Sequence, residues 1–313
     1  MANITVIGGI CADITGVPYS RLVERDSNPS RICMKAGGVG FNIACRLASL
    51  GHYVDMICVI GNDTFGTVLI NAANTARVSL KHAVTLPPDS STAFRSGVYI
   101  CVNDTDGDMR IALSDLDATE AELTPSRIVE RLPYINKSDA CVIDGNLSQS
   151  AIECIAQNVT VPIFADPVST KKALRFLPVL DSITAIKPNI YEARVLTGRD
   201  DPLSAARELV KRGVKYAFVS CGENGIYYAD STVSGLSAAT RVTVSNTTGA
   251  GDAATAMLLH TILTGGTYID SAYNDRTPVD RTPADRTPVD SAYAAAMANR
   301  FAAKIIAIHD ITD

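Results

Sequence analysis

Six short apolar runs punctuate this chain, at 4–7, 56–60, 140–143, 163–165, 183–186 and 217–220, each bounded by turn residues. None alternates apolar with polar, as a strand with one wet face would, so each suits a strand buried on both faces. Between the runs lie segments with helical spacing, at 42–50, 66–75, 148–157, 190–196 and 202–212. Parallel strands need a crossover between them, and helices supply it. The expectation is an α/β fold: a mostly parallel sheet covered by helices. With 47% of its 313 residues hydrophobic, the chain has enough apolar material to build this as one domain, 1–313.

Two stretches break the rhythm. Segments 92–102 and 109–113 flank Asp104-Thr105-Asp106-Gly107-Asp108, in which Asp106-Gly107 is a hairpin signal. With the extended segment 30–35 they suggest a small antiparallel piece outside the main sheet, either a lid or an edge hairpin. Further on, Asp275-Arg276-Thr277-Pro278 recurs from Asp280 and from Asp285. Its prolines forbid a regular helix or a central strand, so 275–290 is expected to be a solvated loop inserted between helices at 253–263 and 292–308.

A formal net charge of −5 gives no general attraction to nucleic acid or to anionic lipid, which leaves a small molecule as the expected partner. The eight cysteines contain no Cys-x-x-Cys, and the four histidines have no zinc-ligand spacing. No stretch approaches the ~18 apolar residues of a membrane span. Nor does a signal segment precede Ile4, so a cytoplasmic protein is expected.

The strongest chemical signal is Asn246-Thr247-Thr248-Gly249-Ala250-Gly251-Asp252, just ahead of an apolar helix. Small residues at a helix start leave its free N–H groups open to an anion, and the helix dipole favours one there. A carboxylate beside an anion site needs a reason, and accepting a proton from an attacking hydroxyl supplies it. A plain helix cap with glycines for a tight turn is the alternative. A second cluster, Gly37-Gly38-Val39-Gly40-Phe41-Asn42, also precedes a helix. It completes no dinucleotide fingerprint, and the chain has no Walker loop.

These two clusters resemble the N- and C-terminal signatures of the ribokinase-like, or PfkB-type, carbohydrate kinases. Lys187-Pro188-Asn189-Ile190-Tyr191-Glu192 and Ser220-Cys221-Gly222-Glu223-Asn224-Gly225 match two further family motifs in the right order. The resemblance implies a three-layer α/β/α fold with a small β lid built from segments about 14–36 and 92–113. It implies transfer of phosphate from ATP to a sugar hydroxyl, with Mg²⁺. Asp252 takes the place of the catalytic base, and the amides of Gly249, Ala250 and Gly251 that of the anion hole. Asp13, Gly37, Gly38 and Asn42 would bind the sugar. Lys187, Asn189, Ser220, Gly222, Gly225 and Asn299 would serve the nucleotide, while Glu192 and Asn189 would hold the metal through water.

Many relatives carry Asp where Asn246 stands, which leaves dependence on a monovalent cation open. Asn246, the segment from Asp26 into the glycine cluster, and Asp166-Pro167-Val168-Ser169 look most like the branch of the family that phosphorylates pseudouridine, with Asn28 and then Ser27 as candidates to read the base. Another nucleoside or free ribose is the nearest alternative, and a silent binding regulator or a dehydrogenase are more distant ones. Association as a homodimer is left open.

Overall fold

The computed structural model describes residues 1–87, 95–242, 249–265 and 291–307. Its strands, in chain order, are β1 (Asn3–Ile7), β2 (Cys11–Pro18), β3 (Ser30–Gly37), β4 (Tyr53–Ile57), β5 (Val59–Gly61), β6 (Val78–Ser79), β7 (Val84–Leu86), β8 (Gly97–Asn103) and β9 (Met109–Asp115). Then come β10 (Ala140–Asp144), β11 (Ile163–Asp166), β12 (Ala185–Ile186), β13 (Tyr216–Ser220), β14 (Ile226–Ala229) and β15 (Ser234–Ser237). Nine form the main sheet in the order β15-β14-β13-β12-β11-β10-β1-β4-β6. From β6 to β13 every pairing is parallel, and β14 and β15 close that edge antiparallel.

Successive side chains of each buried strand enter different cores. Ile4 and Val6 pack with helices Val39–Ser49, Ala250–Thr264 and Ser291–Ala307. Ile7 faces the other way, toward Gln149–Asn158, Ile190–Thr197 and Pro202–Lys211. Three layers result, and two apolar faces per strand are why the runs do not alternate. Local chemistry fixes where the helices begin. Ser148 accepts from the Ala151 amide, and Asp201 accepts from Ser204 with Pro202 at the first helical position.

The lid is a four-stranded sheet in the order β3-β2-β8-β9, with the Asp106-Gly107 hairpin joining β8 and β9 and Gly107 at φ 84. It reaches further than the sequence suggests, because β2 leaves the body only a few residues after β1 and runs parallel to β8.

Three expectations need correction. The run 56–60 is two strands, since β5 leaves the main sheet to pair with β7; hydrophobicity does not say which sheet a strand joins. The run 183–186 pairs only at Ala185–Ile186. The helix expected from 42 begins at Val39, because Gly38 caps it at φ 99 and the glycine cluster becomes its first turn. The repeat 275–290 lies outside the described residues, as do Thr92, Asn246, Thr247 and Thr248.

Candidate active site

After β1 the chain builds outward through β4 and β6, then returns to the opposite side of β1 as β10 and proceeds to β13. That reversal opens a crevice at the carboxyl ends of β1 and β10, where open α/β sheets hold their ligands. The glycine turn Gly8-Gly9 after β1, Asp144 ending β10, Asp166 ending β11, Lys187 after β12 and Ser220 ending β13 all arrive along this edge.

Asp252 stands in the first turn of helix Ala250–Thr264. Gly249 caps that helix at φ 82, a left-handed conformation that suits glycine, and supplies no side-chain acceptor to the first amides. Those N–H groups can therefore face an incoming anion. Asn42 Nδ2 donates to Asp252 Oδ2 at 2.8 Å, joining the two glycine-rich helix starts, which lie 210 residues apart.

Lys187 Nζ lies 3.4 Å from Asp166 Oδ2, and a Cβ added at Gly251 would come 3.6 Å from the same ammonium. Asp166 Oδ2 also accepts from Thr255 Oγ1 at 2.8 Å, which ties helix Ala250–Thr264 to β11. Burial, then the charge of Asp166, pushes the Asp252 carboxyl up to about 6, against the pull of Asn42 and Lys187. Burial alone would depress Lys187, but Asp166, Glu192 and Asp252 outweigh it and hold the ammonium above its usual range.

Asn189 and Glu192 form a capping box. Asn189 Oδ1 accepts from the Glu192 amide, Glu192 Oε2 accepts from the Asn189 amide at 2.9 Å, and Asn189 Nδ2 donates to Oε1 at 2.8 Å. Glu192 is 3% exposed, and burial raises its carboxyl. Among the described residues no three acidic, histidine or cysteine side chains gather as a ready metal cage. Carboxylates spread around one lysine fit Mg²⁺ held through water and phosphate oxygens, since that ion keeps much of its hydration shell.

A cavity of about 490 Å³ lies beside this box, lined by Asn189, Pro202, Ser220, Gly222 and Tyr227 among others. Two expected nucleotide residues are framework to it. Gly225, at φ 95, packs so closely that a Cβ would lie 2.1 Å from the Ser237 carbonyl oxygen. Asn299 Nδ2 donates to the Ser237 carbonyl at 2.8 Å and the Ala238 carbonyl at 3.2 Å, tying the last helix to the end of β15.

On the acceptor side, Asp13 of β2 is half-buried, burial raises its carboxyl, and a Cβ at Gly37 would fall 2.0 Å from its Oδ2. Glycine there leaves room for the carboxylate, while Gly38 presses against the Gly9 carbonyl. Asn28 is placed differently from its expected role. Its Oδ1 accepts from the Val23 amide at 2.8 Å and its Nδ2 donates to the Val23 and Asp26 carbonyls, so the side chain closes its own loop. Ser27 is exposed beside it.

Sequence reasoning did not single out Asp144. This buried carboxylate accepts from the Gly9 amide at 2.9 Å, the Gly40 amide at 2.8 Å, and both the amide and Nδ2 of Asn146. It fastens the glycine turn after β1 to the helix that carries Asn42. Asn146 in turn accepts from Lys172 Nζ at 2.7 Å. The available signal was an acid ending a buried apolar strand, a pattern that Asp166 repeats.

The description "pfkB family carbohydrate kinase" matches residues 1–273. Pseudouridine kinase of Escherichia coli (strain K12) is 33% identical over 257 residues, 80% of this chain and 80% of that protein. A carbohydrate kinase from Agrobacterium tumefaciens superposes with a TM-score of 0.73 at 30% identity, over 85% of this chain and 86% of that one. Arabidopsis thaliana ribokinase complexed with ribose and ATP shares the fold, with a TM-score of 0.71 at 22% identity over 84% and 86% of the two chains. The chain belongs to the pfkB family of carbohydrate kinases and is a phosphotransferase with an alcohol group as acceptor.

Proposed function

We propose that this chain transfers the γ-phosphate of ATP to the ribose 5′-hydroxyl of pseudouridine, giving ADP and pseudouridine 5′-phosphate. The observation that carries the chemistry is Asp252: a largely buried carboxylate with its pKa raised to about 6, held by Asn42 at a helix start with no side-chain cap. As the hydroxyl oxygen forms its bond to phosphorus, its proton passes to Asp252, and the bond from the γ-phosphorus to the β-phosphate oxygen breaks to release ADP. The amides of Gly249, Ala250 and Gly251, with Lys187, receive the charge on the transferred group. Mg²⁺, when bound, neutralises the phosphate oxygens, and Glu192 and Asn189 are the residues that would hold it through water.

Asp13, with Gly37 and Gly38 giving it room, would accept from the vicinal ribose hydroxyls. The substrate assignment is supported by the 33% identity to the Escherichia coli pseudouridine kinase. With Asn28 committed to its loop, base reading falls to the lid face that Asp13 shares with Lys35 and Tyr99, its partners in register. All eight cysteines are unpaired, which supports a cytoplasmic setting.

The opposite lid face supports a homodimer. Register places Met34, Ile14, Ile100 and Leu113 in one row and Ile32, Gly16, Val102 and Ile111 in the next. Ile32, Ile111 and Leu113 are all more than half exposed, and a contiguous apolar sheet face of this kind suits a second copy.

Product analysis tests the reaction. Proton-coupled phosphorus NMR after incubation with pseudouridine, ATP and Mg²⁺ should show a phosphomonoester triplet from the 5′-methylene. A doublet, from phosphate on a secondary hydroxyl, or no phosphorylated nucleoside at all would overturn the assignment.

A further inference from the structure

We propose that a second cleft, at the amino-terminal end of the central sheet and so opposite the catalytic carboxylates, binds a phosphate-bearing small molecule. Its volume is about 650 Å³, and its walls come from the starts of β1 and β4, from β6, and from the segment around Tyr134 and Lys137.

Arg77, on the rim, is the first indication. It ends helix Thr64–Ala76 at φ 59, in the left-handed conformation that a helix C-terminus ordinarily gives to glycine or asparagine. A side chain there is strained, and no hydrogen bond or ion pair joins its guanidinium to another described residue. Strain at an unpaired cation beside a cleft is better explained by a ligand than by folding, which glycine would serve more cheaply.

His82 is the second. Its Nδ1 donates to Asp55 Oδ2, Asp55 Oδ1 accepts from Ser79 Oγ at 2.9 Å, and the ring lies against Tyr134 with centroids 4.0 Å apart. Arg131 Nε holds the His82 carbonyl from behind at 2.8 Å. The imidazole is thereby fixed, while its Nε2 is buried without a hydrogen-bond partner among the described residues. A buried polar atom left unmet calls for a partner, and with Nδ1 donating to Asp55 the neutral ring offers Nε2 as an acceptor, which the P–OH of a monoprotonated phosphate would meet.

The charge balance selects the ligand. Asp55 is the one carboxylate lining the cleft, and it is already committed to His82 and Ser79. Arg77 and Lys137 remain as cations without ion pairs, on a molecule whose formal net charge is −5. Guanidinium and ammonium groups together with the Tyr134 hydroxyl are donors matched to phosphate oxygens, the Thr5 and Ser138 hydroxyls, bonded to each other at 2.6 Å, leave one further proton between them, and nothing in the lining offers a cation a free carboxylate.

Calorimetric titration and thermal melting of the full chain with inorganic phosphate test this, comparing wild type with Arg77→Gly and Lys137→Gln. Without phosphate, Arg77→Gly should melt at or above the wild-type temperature, since glycine relieves the left-handed strain. Its phosphate affinity should fall about tenfold or more, the loss expected for a charge-assisted contact, and Lys137→Gln should weaken binding in the same direction. Uridine 5′-monophosphate displacing phosphate at lower concentration, in wild type but not in Arg77→Gly, would assign the site to nucleotides; no such advantage would assign it to the free ion. Equal phosphate binding by all three proteins, or none by wild type, overturns the proposal. No acceptor substrate enters the assay, so its outcome is separate from that of the kinase assignment.

Discussion

Asp252 meets two opposed demands. As the proposed proton acceptor it must be ionised, yet it is largely buried and shares its surroundings with Asp166. With its carboxyl pushed up to about 6, kcat/KM should fall on the acid side with an apparent pKa near 6, and Asp252→Asn should lose that limb together with ~10²- to 10⁴-fold in kcat. Stability runs the other way. A carboxyl whose folded pKa is raised stabilises the fold while protonated, and that contribution is lost as pH rises through about 6. At pH 8 the ionised group therefore costs the fold, by an amount on the order of 1–3 kcal/mol, and Asp252→Asn should melt higher than wild type in calorimetry at that pH. A variant that is inactive and also less stable at pH 8 would show that Asp252 is structural. Its place in the first turn of a glycine-led helix was legible, since Gly249-Ala250-Gly251 directly precedes an apolar helical stretch. Asp144 was not, because only the fold shows that one carboxylate collects the amides of Gly9 and Gly40.

Helix Ala250–Thr264 is held at several levels: at its start by Asn42 and Asp166, and further along by His260. His52 Nδ1 accepts from the Ala2 amide at 3.2 Å, so its Nε2 carries the proton that it donates to His260 Nδ1 at 2.8 Å. Burial, then the neighbouring His52, lowers His260 from 6.5 to about 4. The unfolded chain then binds more protons between these values, so folding stability should be present above pH 6.5 and decline as pH falls toward 4, by on the order of 3 kcal/mol. His260→Leu should flatten that slope in urea melts at pH 4.5 and 7. An unchanged slope would place the sensitivity elsewhere. The capping box makes a separate prediction: Glu192→Gln keeps an acceptor for the Asn189 amide but loses the one for Asn189 Nδ2, so the melting temperature should fall modestly while several-fold more Mg²⁺ is needed for half-maximal rate. A fall in stability with unchanged Mg²⁺ dependence would leave Glu192 as a cap alone. Periodicity revealed most helices and the parallel strands, because burial on both faces leaves a plain trace. It missed β2 as the centre of the lid, since that strand carries Asp13, Thr15 and Gly16 among its apolar residues and pairs with partners far along the chain.

At the scale of the whole molecule the lid sheet has two unlike faces. One presents Asp13, Lys35 and Tyr99, and the other two apolar rows. If those rows bury a second copy, Leu113→Lys should shift sedimentation toward the monomer while leaving the melting temperature of the body nearly unchanged. A wild-type monomer at micromolar concentration would contradict the dimer. The family and the main sheet could be read from four short motifs and a rhythm of apolar runs; the side chains proposed to meet the acceptor's base could not, because that lid face is assembled from distant strands. The substrate assignment is therefore best tested by kcat/KM for ADP formation with pseudouridine, uridine, adenosine, ribose and fructose. Pseudouridine should exceed uridine by roughly five- to 150-fold, the effect of leaving one buried polar group unsatisfied when the additional ring N–H is missing. Equal or greater kcat/KM with uridine, or a higher value with ribose or fructose than with either nucleoside, would contradict it.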